Sequence, residues 1–256
     1  MRKLTKVTMS NFNVIKLNAI PSTSDYLKNQ YDQGACSDGD LVWASDQTAG
    51  RGQRENPWES LAGLNLTFSV YKEFKAIDLN NIFLISRVTS IAVAEALMVL
   101  GIPQVKIKWP NDILSCDKKV GGILIENIVQ KARLKATIIG IGMNVNQVDF
   151  PGLTLATSMA KITDQLFDLE KVFAVFRATL GAQFEKCLIQ NANTLQNKYL
   201  SYLWKKDEKV HLYNEQETFV GVLRGVDNRG CIQIERDKGK VFTYASHQFR
   251  IAYQSG

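Results

Sequence analysis

Between Ser45 and Ser60 the chain reads Ser-Asp-Gln-Thr-Ala-Gly-Arg-Gly-Gln-Arg-Glu-Asn-Pro-Trp-Glu-Ser. Gly50 and Gly52 permit backbone conformations closed to other residues and let N–H groups come close to a ligand. Arg51 and Arg54 add fixed donor forks matched to carboxylate or phosphate. The stretch reads as a mobile anion-binding loop; taken alone, a glycine-rich surface turn with solvated arginines is the plainer reading. Two further stretches add polar chemistry. Val105 to Asp112 is Val-Lys-Ile-Lys-Trp-Pro-Asn-Asp, followed by Lys118-Lys119-Val120-Gly121-Gly122-Ile123-Leu124-Ile125-Glu126, and Ile138 to Asn146 is Ile-Ile-Gly-Ile-Gly-Met-Asn-Val-Asn.

The elements that must hold these stretches follow from periodicity. Val14 to Ile20 is a strand ending at Pro21, and Ser22 with Asp25 three residues on starts a short helix through about Tyr31. Asp40 to Asp46 leads into the loop, and the alternation of Leu64, Leu66, Phe68 and Val70 with polar neighbours gives a half-buried strand beyond it. Asp78 or Asn80 caps a long core helix with Phe83, Val88, Ile91, Ala92, Leu97 and Leu100 along one stripe, ended by Gly101 and Pro103. Val105 to Trp109 is a strand broken by Pro110, so Asn111 and Asp112 stand at its end. Ile123 to Ile128 returns as a hairpin partner carrying Lys119 and Gly122, and Ala136 to Ile141 is a further apolar strand, with Gly140 and Gly142 permitting close approach of a ligand or a neighbouring backbone. A helix from Asp168 to about Gln190 follows, with Phe173, Phe176, Leu180, Phe184 and Leu188 at helical spacing. After Trp204 come five short strands, Lys209–Tyr213, Thr218–Val226, Cys231–Glu235, Val241–Tyr244 and Gln248–Ala252, with a hairpin turn at Asp227 to Gly230.

Length and composition bound the rest. The 256 residues, 45% hydrophobic, suffice for one large domain or two with a real core. The net charge of +6 comes from 31 Lys and Arg spread along the chain, which a solvated surface and an anionic small-molecule site explain as well as nucleic acid. Cys36, Cys116, Cys187 and Cys231 are far apart and form no Cys-x-x-Cys pair, so reduced thiols are expected. Met1 to Met9 has basic residues but no apolar run behind them, and no segment is expected to approach the ~20 apolar residues of a membrane span. A cytoplasmic protein is expected. His211 and His247 both fall in the C-terminal part, which excludes a histidine-based triad from the main domain.

In this order the three stretches resemble biotin protein ligases, whose signatures are a Gly-Arg-Gly loop ending in Trp-x-Ser, Lys-Trp-Pro-Asn-Asp, Lys-x-x-Gly-Ile-Leu-x-Glu and Gly-x-Gly-x-Asn-x-Asn. The resemblance extends to Pro21-Ser22-Thr23-Ser24, Phe150-Pro151 and Ala156-Thr157-Ser158, and so covers almost the whole chain. It implies an α+β fold, a biotin/lipoate-ligase catalytic domain like that of class II aminoacyl-tRNA synthetases, with a mixed sheet and helices. It places this domain at residues 1–205 and a small SH3-like β-barrel at 206–256.

The resemblance further implies an ATP-dependent ligase that activates biotin as biotinyl-5′-AMP, with Mg2+. The biotinyl group then passes to a lysine of a biotin carboxyl carrier domain of a carboxylase. Two anions must meet in the first step, so fixed cations matter more than a strong base. The implied catalytic residues are Lys119, Arg54 and Asp112. Ser22, Thr23, Ser24, Gln47, Gly50, Arg51, Gly52, Gln53, Trp58, Lys119 and Gly122 would bind biotin. Arg51, Gln53, Arg54, Lys108, Asn111, Asp112 and Asn144 would bind ATP, with Asp112 holding magnesium or orienting the attacking amine. The family loop often reads Gly-Arg-Gly-Arg-Arg-Gly-Arg, whereas Gln53, Glu55 and Asn56 stand here, which bears on retention of the adenylate. Only about twenty residues precede Ser22, so no winged helix and no specific DNA binding are expected; a monomer or weak homodimer is. A lipoate or octanoate ligase would show Arg-Arg before a glycine cluster, which is absent. A non-catalytic basic binding factor would leave Lys119, Asp112 and the loop without a role.

Overall fold

The strand from Leu66 to Tyr71 alternates apolar and polar side chains at period two, and both phases of that alternation are buried. The computed structural model describes residues 12–74, 77–189, 191–237 and 239–253. The basic stretch Met1 to Met9 and the expected helix end at Gln190 lie outside the described residues. β1 (Asn13–Ile20), α1 (Thr23–Asp32) and β2 (Asp40–Gln47) form a unit in which the two strands pair in parallel, Ile15 beside Val42. β3 (Leu66–Lys72) returns antiparallel to β2. After α2 (Phe83–Val99) come β4 (Val105–Lys108), β5 (Asp112–Ser115), β6 (Lys118–Gln130) and β7 (Arg133–Met143), completing a mixed seven-stranded sheet of order β1-β2-β3-β7-β6-β5-β4.

Helices cover both faces. Leu41, Trp43, Phe68, Val70, Ile139 and Ile141 point to one side, into the main core with α2 and α4 (Leu169–Ile189), where Phe173 meets Trp43 and Phe68. Val42, Tyr71, Ala136 and Ile138 point to the other side and pack on Leu27 of α1. A sheet covered on both faces needs no outward polar phase, so Ser69, on the polar phase of the strand expected to be half-buried, is fully buried.

α2 departs from the expected stripe. Asp78 accepts from the Asn80 amide and caps a single 3-10 turn, Leu79–Asn81, one turn before α2 begins. The helix is buried nearly all round, including Arg87, Thr89 and Ser90. Leu79–Val99, 21 residues long, contains an 18-residue window with a mean hydropathy of 1.9, so on composition alone one segment does reach the membrane-span range. Burial within the protein of 67% of that window accounts for its apolarity. Three elements escape the sequence reading. β5 has four residues, too few to show a period; α3 (Met159–Thr163) is one turn capped by Ser158; α5 (Ala192–Tyr202) buries only Leu195 and Tyr199, one i,i+4 pair.

The C-terminal strands β8 (Lys209–Tyr213), β9 (Thr218–Val226), β10 (Ile232–Arg236), β11 (Lys240–Tyr244) and β12 (Arg250–Ile251) form an antiparallel sheet of order β11-β10-β9-β8-β12. β12 is shorter than the expected Gln248–Ala252. The turn at Asp227 to Gly230 is present, with Gly230 at φ 86° and the Asp227 carboxylate accepting from the Arg229 and Cys231 amides. This module is not appended loosely. The Gly230 carbonyl accepts from Trp109 Nε1 at 2.9 Å, the Asp227 carbonyl from Arg87 at 3.2 Å, and Leu203, Val210, Leu223 and Ile234 join the main core.

Candidate active site

The first part of the site is a hydroxyl cluster on the α1 face of the sheet. Ser22 accepts from the Asp25 amide and caps α1, which turns Thr23 and Ser24 inward over the strands. Thr23 donates through its amide and its hydroxyl to Gln47 Oε1, at 2.8 and 2.9 Å. Ser69 stands 2.7 Å from the Thr23 hydroxyl and 2.9 Å from that of Ser24. Hydroxyls both donate and accept, so this cluster can turn its bonds toward a small polar ring with N–H and C=O edges.

The loop lies over that cluster. Arg51 bridges Pro57, the Gly52 amide donates to the Asn56 carbonyl at 2.7 Å, and the Trp58 amide to the Gly50 carbonyl at 2.9 Å. The left-handed residue is Arg54, at φ 55°, and neither Gly50 nor Gly52 has positive φ. Gly50 is required for space instead, since a Cβ there would stand 2.4 Å from the Trp58 carbonyl oxygen. Arg51 pairs with Asp25 at 2.6 Å and Glu126 at 3.0 Å, so its fork ties the loop to α1 and β6. Burial disfavours its charge, but the two carboxylates outweigh that and hold its pKa above the usual arginine value. The Trp58 indole packs against Gly142, where a Cβ would come within 2.4 Å of the ring.

The cationic end is built by β4, β5 and β6. A cis Trp109–Pro110 bond turns the chain, and Asp112 opens β5 instead of ending the preceding strand. Asn111 is held in place by Ile123, donating to its carbonyl at 3.0 Å. Pairing sets Lys108 opposite Asp112 and Asp112 opposite Gly122. A bulge at Ile113/Leu114 shifts the β6 register, and it brings Lys119, three residues before Gly122, to the same side. Lys119 Nζ lies 2.6 Å from Asp112 Oδ1, and the Tyr253 hydroxyl donates to Asp112 Oδ2 at 2.6 Å. Lys108 Nζ stays 4.0 Å from Oδ2 and 4.0 Å from the centre of the Tyr253 ring. Burial, with Lys119 and Arg250 adding to it against the pull of Asp112, lowers the Lys108 pKa to about 8.

One cleft joins these parts. It is lined by Thr23, Ser24, Gln47, Arg51, Gly52, Gln53, Arg54, Trp58, Lys108, Asn111, Asp112, Lys119 and Gly122 of the expected set. Three expected residues lie off its wall. Ser22 is used as the helix cap, Gly50 packs under Trp58, and Asn144 is buried, donating to the Thr157 carbonyl at 3.0 Å. Gly140 and Gly142, read as allowing close approach, form the floor of the cleft together with the unexpected Ser69, Leu124 and Ile141, and Tyr213, Phe249, Arg250 and Tyr253 reach in from the C-terminal module. Their only sequence signal is the Gly140/Gly142 pair. The donor set does not fit a protein-held magnesium ion. Among the described residues no group of three or more His, Cys, Asp or Glu side chains could hold a metal, and the Asp112 carboxylate is taken by Lys119 and Tyr253.

A hydroxyl-lined pocket under a tied loop, opening onto two lysines that face one carboxylate, is suited to bring acidic groups side by side, the arrangement of a ligase. The chain belongs to the biotin/lipoate A/B protein ligase family, whose model matches residues 17–144. It is 31% identical over 237 residues to the bifunctional ligase/repressor BirA of Salmonella typhimurium, covering 88% of this chain and 70% of that protein. BirA of Bacillus subtilis is 30% identical over 206 residues, and the chain spans 63% of its length. The biotin protein ligase of Aquifex aeolicus in complex with biotin and ATP superposes with a TM-score of 0.80 at 29% identity, covering 94% of this chain and 98% of that one.

Proposed function

We propose that this chain is a biotin protein ligase that forms biotinyl-5′-AMP from biotin and ATP, then passes the biotinyl group to a lysine of a biotin carboxyl carrier domain. The observation that carries the reading is the Lys119–Asp112 pair, 2.6 Å apart at the open end of the hydroxyl cluster. A ureido ring held by Thr23, Ser24, Ser69 and Gln47 would leave its acid tail running under Trp58 toward Lys119. There the lysine stands between carboxylate and α-phosphate and lowers their repulsion as one attacks the other and pyrophosphate leaves. Lys108 and Arg54 would take the phosphates. In the second step the acceptor amine attacks the acyl carbon and AMP departs, with Asp112 placed to orient that amine and receive its proton. A magnesium ion would be held by the nucleotide's own phosphates, with no side chain of this protein among the described residues set to hold it, and would there offset their charge.

The same reading divides the chain into a catalytic domain at 1–205, like class II aminoacyl-tRNA synthetases in its layout, and an SH3-like module at 206–256. The shift to five short strands after Trp204 supports it. It also makes the protein cytoplasmic. ATP-dependent pyrophosphate exchange, measured side by side with biotin, lipoate and octanoate, tests the substrate. Exchange with biotin alone is the expected result; exchange only with an acyl chain would move the chain to the lipoate branch of its family.

A further inference from the structure

Tyr253 belongs to the small C-terminal module, yet its hydroxyl reaches the carboxylate at the centre of the cationic end. Asp112 has two oxygens and three claimants. Oδ1 takes Lys119, while Oδ2 takes the phenol at 2.6 Å and leaves Lys108 at 4.0 Å, outside hydrogen-bond range. The same tyrosine sets its ring face 4.0 Å from the Lys108 ammonium, with Trp204 at 6.0 Å on the same group. A buried cation beside a carboxylate would ordinarily close that gap, because a direct ion pair offsets more of its desolvation than a ring face does. The phenol occupies the oxygen that Lys108 would otherwise take.

We propose that Tyr253 is a positioning residue that keeps Lys108 free for ATP, by holding the second oxygen of Asp112 and offering the lysine a ring instead of a carboxylate. The proposal rests on the ligase reading above. It assigns the module a defined task in catalysis: to divide one carboxylate between a lysine and a phenol so that the second lysine keeps its charge directed into the cleft. Without the hydroxyl, Lys108 moves onto Oδ2, its charge is neutralised, and the phosphates lose a partner. Biotin, bound at the hydroxyl cluster, is unaffected.

Tyr253→Phe tests this, since it keeps the ring and removes only the hydroxyl. In pyrophosphate exchange the variant should raise KM for ATP roughly tenfold, the range of one charge-assisted hydrogen bond. Its kcat and its KM for biotin should stay within about twofold. In a Lys108→Ala background the same change should raise KM for ATP no further, because the residue it acts through is gone. An unchanged KM for ATP in Tyr253→Phe overturns the proposal. So does an equal effect with and without Lys108, or a matching loss in both substrates' KM values and kcat, as a merely structural role would give. Absence of biotin-dependent exchange in the unaltered protein would instead strike the ligase reading itself.

Discussion

Lys119 and Lys108 face one carboxylate from different depths, and depth separates their tasks. Lys119 is one-third exposed and pairs directly with Asp112, so it can swing to an incoming anion without opening a cavity. Lys119→Ala should therefore leave the melting temperature within a few degrees of the parent while removing on the order of 3 kcal/mol of transition-state stabilisation, more than a hundredfold in exchange rate. Near-normal exchange in the folded variant would remove Lys119 from the reaction. Lys108 is 6% exposed, and its proton is held to about pH 8 in the folded chain against 10.5 for an ordinary lysine. Below pH 8 the unprotected charge costs stability on the order of 3 kcal/mol, and that cost is relieved as pH rises from 8 toward 10.5, where the unfolded chain binds more protons than the folded one. Lys108→Met should accordingly stabilise the protein at pH 7 and lose that advantage by pH 10, while weakening ATP. Urea melts at the two pH values, read beside KM for ATP, check both halves; a variant less stable at pH 7 would mean that the charge is better compensated than its surroundings indicate.

Among the elements, the loop from Gly50 to Trp58 carries the clearest expectation. Its fastenings among the described residues are few: four hydrogen bonds and a bridge within the loop, Arg51 to two carboxylates, and Trp58 on Gly142. Arg51 is half exposed, and exposed pairs contribute little, typically under about 1 kcal/mol. Each ordered residue costs about 1 to 2 kcal/mol of backbone entropy, so ligand must supply most of the closure. Trypsin should cut after Arg51 or Arg54 in the free protein and be slowed strongly by biotin plus ATP, with little protection from lipoate. Equal cleavage with and without ligand would end the gating role. The loop and the lysines are legible in the sequence because glycines, arginines and a Lys-Trp-Pro-Asn-Asp run are unusual in combination. The bulge that brings Lys119 round to Asp112 is not, since register lives in the pairing of two strands and neither strand's own pattern records it. Ser69 is hidden for a related reason: alternation reports two phases, and only the packing of α1 shows that both are covered.

On the scale of the whole molecule, the boundary near Lys205 is one of grammar and not of packing. The switch from helices to short strands is plain in the sequence, whereas the reach of Tyr253 into the cleft is not, because a single tyrosine near a chain end carries no periodic or spacing signal. Leu203, Trp204, Val210, Leu212, Leu223 and Ile234 share one buried cluster with Phe68, Ile107 and Trp109. A chain ending at Lys205 would expose the apolar surface of Ile107, Trp109 and Trp204, and is expected to be insoluble or molten instead of merely slow; the intact protein should show one calorimetric unfolding transition. Two resolved transitions, or a soluble active truncation, would separate the modules. The turn at Asp227 to Gly230 carries a further consequence. Its carbonyls accept from Arg87 of α2 and from the Trp109 indole, next to the bend that presents Asn111 and Asp112. Amide hydrogens of β9 and β10 should therefore exchange with solvent deuterium more slowly when biotin and ATP occupy a cleft those strands do not line, so that strands outside the cleft report its filling.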